Sequence, residues 1–365
     1  MDLSKAFDTV NHDILLKKLY HYGIRGVAFD WFKSYLSERK QFVTYNECHS
    51  EQKYIKCGVP QGSILGPLLF LLYVNDMVNA SERLFSQLFA DDTNVFISGK
   101  NLNSLIETMN CELQKLYEWM CVNKLSLNIK KTKFMLFTPK KSLKVEQNVF
   151  INGHIIEKVE NFKFLGVIID SHLKWNDHIH HIKKKIAKGL GIMYKAKRLL
   201  NTNTLITLYY SFMYPYYLYC IEVWGTASNE SLVSLLKLQK RALRLIKSVP
   251  VRTDSDSIFK SLEILTVNNT YTFKVGMLMF KVNADKVPKC IHELFLKTHE
   301  IHSRSTRQMF KLYMPSSKLE IVRKSFRSKG VTIWNFILDN FEISCSIHSF
   351  KQKLKKYLVY RDILH

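Results

Sequence analysis

The sequence has no CxxC pair, no basic-then-apolar run at its amino end, no internal repeat and no low-complexity tract. Seven scattered cysteines (Cys48, Cys57, Cys111, Cys121, Cys220, Cys290 and Cys345) therefore outline neither a disulfide framework nor a zinc ribbon, and they suit a reduced compartment. Without a leader-like run nothing supports export, and an intracellular location, nuclear or cytoplasmic, is expected. Acid is scarce as well. Thirty-one Asp+Glu face 54 Lys+Arg, and the net charge of +23 predicts attraction to a polyanion, either nucleic acid or an anionic membrane surface. The alternative is a basic surface with no dedicated partner. One uncharged stretch, LITLYYSFMYPYYLYCI from Leu205 to Ile221, invites comparison with a membrane span, but it carries six tyrosines and Pro215. Phenols want hydrogen-bond partners and an interior proline frees a carbonyl, so no span is predicted.

What is present is enough apolar material for real cores. A chain of 365 residues with 47% hydrophobic content suits two or three folded domains. Ile14, Leu15, Leu19 and Tyr22 recur at helical spacing, with Asn11 as cap and Gly23 as stop, and a second short helix is predicted around Ala28 to Tyr35. QFVTYN and KYIKCGV read as strands. LLFLLYVNDM reads as a buried helix with Pro67 in its first turn. FADDTNVFISG reads as a strand pair, and Asn103 to Asn123 as a long amphipathic helix. KTKFMLF reads as a strand, VFINGHII as a type I′ hairpin on Asn152-Gly153, and FKFLGVIID as a further strand. Beyond His172 the pattern turns to long helices with basic faces. Pro250 and VRTDSDS mark another joint.

Adjacent Asp91 and Asp92 interrupt an apolar strand. Two neighbouring carboxylates repel unless cations neutralise them, and a divalent metal with substrate phosphates is the simplest remedy; a lone DD pair would otherwise read as a polar turn. His178, His180 and His181, and the loose set Cys290, His292, His299 and His302, lack zinc spacing and are set aside.

The motifs DLSKAFD, GVPQGSILGP, FADD, LSLNIKKTK and FKFLGV follow one another in this order. In that order they resemble the palm motifs of reverse transcriptases, and the chain resembles the jockey-like non-LTR retrotransposon branch from Met1 to about Arg244. The resemblance implies an α/β (α+β) fold. An incomplete right-hand polymerase palm, an antiparallel sheet backed by helices, would occupy 1–170, a helical thumb 171–250 and a basic helical region 251–365. It implies RNA-directed DNA polymerase activity with an RNA template, a DNA primer strand and deoxynucleoside triphosphates, and two Mg²⁺ ions, or Mn²⁺ in their place.

Asp2, Asp91 and Asp92 would be the metal ligands, with Lys131 serving the pyrophosphate leaving group; Lys130 and Lys133 are alternatives to it. Phe7 resembles the aromatic gate against the ribose 2′-hydroxyl, and on its own reads as a core phenylalanine. Gln61 and Gly62 resemble the residues at the templating base pair, although a Gly/Pro loop feeding a helix is also ordinary turn chemistry. Phe164, Leu165 and Gly166 resemble the primer grip. Lys237, Lys240, Arg241 and Arg244 would form a basic thumb face for duplex phosphates, against the alternative of a solvated surface. Asp8, just ahead of a helix, is expected to cap it or to make a structural hydrogen bond rather than bind metal.

The opening MDLSKAFDTV places Asp2 one residue from the start. This predicts that Met1 is an internal methionine used as a start, leaving no fingers or endonuclease, with Asp2 poorly held and activity weak or absent. A basic nucleic-acid-binding remnant without turnover is the second reading.

Overall fold

The computed structural model describes residues 1–138, 147–301, 311–314, 316–341, 343 and 346–360, which form two compact units, Met1–Glu160 and Asn161–His365. Cys345 and His302 lie outside the described residues. The fold is mixed, with many helices and small, mostly antiparallel sheets.

In the first unit, α1 (His12–His21) begins where the Asn11 side chain accepts the Ile14 N–H, and it ends before Gly23 at φ 95°. Next come α2 (Gly26–Leu36) and four two-residue strands, β1 (Lys40–Gln41) paired with β4 (Lys53–Tyr54), and β2 (Thr44–Tyr45) with β3 (Cys48–His49). Helix α3 (Leu65–Val74) is apolar nearly all round and buries Leu69, Phe70 and Tyr73, as a helix inside a core must. Strands β5 (Phe85–Phe89) and β6 (Asp92–Phe96) form a five-rung antiparallel hairpin. Helix α4 (Leu102–Val122), capped by Asn101, turns Ile106, Leu113, Leu116 and Met120 into the same core as Leu15, Leu19 and Phe70. After β7 (Lys133–Phe134), the Asn152-Gly153 turn joins β8 (Phe150–Ile151) to β9 (His154–Ile155). Both turn residues have positive φ, 48° and 74°, the signature of type I′. Strand β10 (Glu157–Lys158) runs parallel to β7.

In the second unit FKFLGVIID is not one strand. It is a tight hairpin of β11 (Asn161–Phe164) and β12 (Val167–Asp170) around Leu165-Gly166. The Asp170 carboxylate accepts the backbone N–H groups of His172, Lys174 and Trp175, which leads the chain into α5 (Asn176–Ala196). The tyrosine-rich stretch is broken into α6 (Thr202–Phe212), α7 (Tyr214–Leu218) and α8 (Ile221–Trp224), with Pro215 at the start of α7, where its missing N–H costs nothing. Among the described residues no helix is long and apolar enough to cross a membrane. Tyr209, Tyr217 and Trp224 are core residues.

Helix α9 (Asn229–Lys247) packs Leu235, Ala242, Leu243 and Ile246 against α5 and α6. Its Gln239 is fully buried, donating to Tyr209 Oη (3.0 Å) and the Leu265 carbonyl (2.9 Å) and accepting from Val267 N–H. The remaining helices are α10 (Asp256–Leu262), α11 (Val267–Asn283), α12 (Lys289–His292), α13 (Thr298–Ile301), α14 (Glu320–Arg323), α15 (Phe326–Asn340) and α16 (Ile347–Tyr360). Residues beyond Pro250 are not set apart, because Val275, Trp334 and Phe350 share one core with Ile186 and Leu235.

Candidate active site

Asp2 is anchored on both sides. Along one side Met1 and Thr93 exchange N–H···O bonds of 2.7 and 3.2 Å, which makes Asp2 and Asp92 the adjoining non-hydrogen-bonded rung. Side chains on such a rung approach most closely, with Cα atoms about 4.5 Å apart, and both lie on the same face. Along the other side the Asp2 carbonyl accepts Asn128 N–H at 2.8 Å and Ser4 N–H reaches the Ser126 carbonyl at 2.7 Å, which pairs Leu3 with Leu127. Asp2 N–H donates to Thr132 Oγ1 at 3.3 Å, and that hydroxyl donates to the Asn128 carbonyl. The expectation of a frayed, poorly held Asp2 is therefore corrected: isolated bridges join Asp2 to Asp92 of β6 and Leu3 to Leu127. Period-two alternation does the rest, since Leu3 and Thr93 are buried while Asp2 and Asp92 are left partly exposed.

Asp91 is the second residue of the two-residue turn between β5 and β6, after Ala90 at φ 51°. The Lys131 ammonium lies 3.7 Å from Asp2 Oδ2, both groups being open to solvent. The structure thus brings together Asp2, Asp92 and Lys131, with Asp91 beside them in the turn.

Among the described residues no group of three or more His, Cys, Asp or Glu is gathered tightly enough to hold a metal by itself. The donor set nevertheless suits Mg²⁺, which takes one or two carboxylates and completes its shell with water and substrate phosphate oxygens. Two like charges on one rung also call for a cation, and Lys131 is one that the protein supplies.

The glycine-rich loop is docked onto the residues that follow Asp2. Val59 N–H donates to the Phe7 carbonyl (2.8 Å), Gly58 N–H to the Val10 carbonyl (2.7 Å), and His12 Nε2 lies 2.7 Å from the Gly58 carbonyl. Gln61 Nε2 donates to Asp8 Oδ1 at 2.8 Å, so Asp8 makes the structural hydrogen bond expected of it. Gln61 and Gly62 are exposed at the loop tip, and Phe7 is half-buried, its ring 4.5 Å from that of buried Phe70. Thr132 and Asn128 were not singled out from sequence. The signal available was the threonine closing LNIKKT, a residue type that often bonds back to a turn carbonyl.

The remaining candidates belong to the second unit. Phe164, Leu165 and Gly166 form the tip of the β11–β12 hairpin. On α9, Lys237 and Arg241 are exposed, whereas Arg244 Nε donates to the Thr253 carbonyl at 2.9 Å and Lys240 lies 4.0 Å from Asp256.

His178 on α5 is buried, with Nδ1 accepting Ile168 N–H at 3.3 Å and Nε2 enclosed without a hydrogen-bond partner among the described residues. Burial, aided by repulsion from His181, pushes its pKa from 6.5 down to about 4. The unfolded chain takes up a proton near pH 6.5 that the folded one refuses until about pH 4, so stability falls as pH drops through that window. Thermal unfolding should show this slope for the native protein. His178→Gln, which keeps an acceptor but cannot ionise, should flatten it.

Over residues 1–169 the chain matches the family described as Reverse transcriptase (RNA-dependent DNA polymerase). More narrowly, it is a relative of jockey-like non-LTR retrotransposon polymerases. It is 30% identical over 261 residues, 68% of its own length and 28% of the relative's, to the RNA-directed DNA polymerase from mobile element jockey of Drosophila funebris. It is 29% identical over 284 residues, 73% of its length and 30% of the relative's, to the probable RNA-directed DNA polymerase from transposon BS of Drosophila melanogaster. The Pol polyprotein of the type-1 retrotransposable element R1 2 from Nasonia vitripennis is 28% identical over 181 residues, 46% of this chain and 43% of that one. The chain spans less than a third of the length of the first two relatives.

Proposed function

We propose that the chain is the palm and thumb portion of an RNA-directed DNA polymerase that extends a DNA primer on an RNA template. The observation that supports this most directly is the rung on which Asp2 faces Asp92, next to the Asp91 turn. Asp2, Asp91 and Asp92 would hold two Mg²⁺ ions, or Mn²⁺ in their place. When bound, such ions lower the pKa of the primer 3′-hydroxyl and neutralise charge on the α-phosphate and the departing pyrophosphate.

The protein's own groups do the rest. Lys131, 3.7 Å from Asp2, stands ready to give a proton or positive charge to the leaving pyrophosphate. Phe7, held against Phe70 but half-exposed, closes the floor of the sugar pocket where a 2′-hydroxyl would have to fit. The Gln61-Gly62 tip, fixed through Asp8 and three contacts to segment 7–12, approaches the templating base pair. Leu165 and Gly166 grip the primer end. Lys237 and Arg241 face duplex phosphates, and Lys240 and Arg244 contribute from partly engaged positions. On this reading 1–170 is palm and 171–250 thumb, and 251–365 is a basic helical region that shares the thumb's core.

The second reading, nucleic-acid binding without turnover, draws on the absence of a three-acid cluster among the described residues. Primer extension by the whole chain on an RNA template separates the two. Incorporation of deoxynucleotides that requires Mg²⁺ and stops with EDTA is expected, together with duplex affinity that falls steeply with salt. Extension that persists in EDTA, or salt-sensitive binding with no extension at all, overturns the polymerase reading for this chain.

A further inference from the structure

The β11–β12 hairpin is a two-stranded ribbon, an arrangement that is marginal without support. Its two tip residues both have positive φ, Leu165 at 44° and Gly166 at 84°. Glycine accepts that region freely, but leucine pays about 1–2 kcal/mol there, so something must hold the turn.

Tyr219 does so. Its hydroxyl donates to the Leu165 carbonyl at 2.6 Å, a short and well-made bond. Its ring edge lies along the turn, where a Cβ on Gly166 would come within 3.3 Å of Tyr219 Cε1. Tyr219 is in turn fixed by Trp224, whose Nε1 donates to the Tyr219 carbonyl at 2.8 Å and whose indole is fully buried. Yet 53% of Tyr219 is exposed, so burial of its ring does not account for its placement. The hydroxyl bond to the turn and the Trp224 bond to its carbonyl contribute to it.

That bond has an electrostatic consequence. A turn tip offers both carbonyl oxygens and N–H groups; a phosphate is repelled by the first and attracted by the second. With one lone pair engaged by Tyr219, the Leu165 carbonyl is less repulsive to an approaching phosphate.

We propose that Tyr219 is a positioning residue for the primer end: through its hydroxyl it sets the Leu165-Gly166 tip to receive the backbone phosphates of a recessed 3′ strand. This rests on the primer-grip reading of the hairpin. No bond is made or broken by Tyr219.

The test uses the full chain, a fluorescent RNA–DNA duplex with a recessed DNA 3′ end, and the same duplex made blunt. Tyr219→Phe removes only the donor. We expect about tenfold weaker binding of the recessed duplex, the equivalent of one lost hydrogen bond, with less than twofold change for the blunt one. Hydrogen exchange should show duplex-induced protection of the Leu165 and Gly166 amides in the native protein and its loss in the variant. If Tyr219→Phe binds and protects like the native chain while the native amides are protected, the inference fails and the grip reading stands. Equal weakening for both duplexes makes Tyr219 merely structural and also overturns it. Absence of protection in the native protein defeats the grip reading and the inference with it.

Discussion

Asp2→Asn is expected to reduce Mg²⁺-dependent primer extension by about a thousandfold or more while leaving the folded protein no less stable, and Asp92→Asn is expected to match it. Asparagine keeps the volume of the carboxylate but not its charge, so a cation held across the rung loses a ligand worth about 4 kcal/mol of transition-state stabilisation. Stability moves the other way because Asp2 and Asp92 face each other on one side of the sheet, and removing one of two like charges relieves repulsion. The nearby Lys131 ammonium trims this gain to about 0.5 kcal/mol or less. Residues that act as a unit are not additive, so the double substitution should be no worse than either single one, and Asp91→Asn should fall with them. Single-turnover extension, urea denaturation and duplex binding in EDTA measure the three quantities. Native-like extension by Asp2→Asn would remove the rung from the mechanism, and a large loss of stability would make Asp2 structural.

Gly58→Ala should destabilise the first unit by about 3–5 kcal/mol, whereas Gly62→Ala, four residues on, should cost only about 1 kcal/mol. Both glycines have positive φ, 89° and 82°, so the conformational cost is shared. They differ in what a Cβ would meet. At Gly58 it would lie 2.9 Å from Asp8 Cα and from the Asp8 carbonyl oxygen, backbone atoms with nowhere to go, while at Gly62 nothing lies within 4 Å. Moving Asp8 also strains the Gln61–Asp8 bond and the Val59–Phe7 pairing, so Gly58→Ala should weaken extension as well. Urea midpoints followed by tryptophan fluorescence test the contrast. Equal midpoints for the two variants would show that the loop is not docked on segment 7–12.

Much of this was legible locally. Asn11 before an apolar 3.6-residue repeat predicted α1 and its cap, and Asn152-Gly153 predicted a type I′ hairpin that forms as written. A hairpin at FADD was legible in kind, but its first strand, Phe85–Phe89, lies ahead of the FADDTNVFISG segment on which the pair was expected. FKFLGVIID reads as one strand but folds as a hairpin. Leu-Gly lacks the asparagine that usually marks such a turn, and what holds Leu165 at positive φ, Tyr219, lies 54 residues away.

The same division of local and distant information runs through the site. Motif order carried the resemblance to reverse transcriptases, and the resemblance nominated Asp2, Asp91 and Asp92, since ordered motifs are a pattern along the chain. Only the tertiary structure placed Asp2 opposite Asp92, set Thr132 and Asn128 to hold its backbone, and tied Arg244 to Thr253 while leaving Arg241 exposed. Those outcomes depend on which strands pair and in what register, and a shift of one residue would have turned Asp2 inward and Leu3 out.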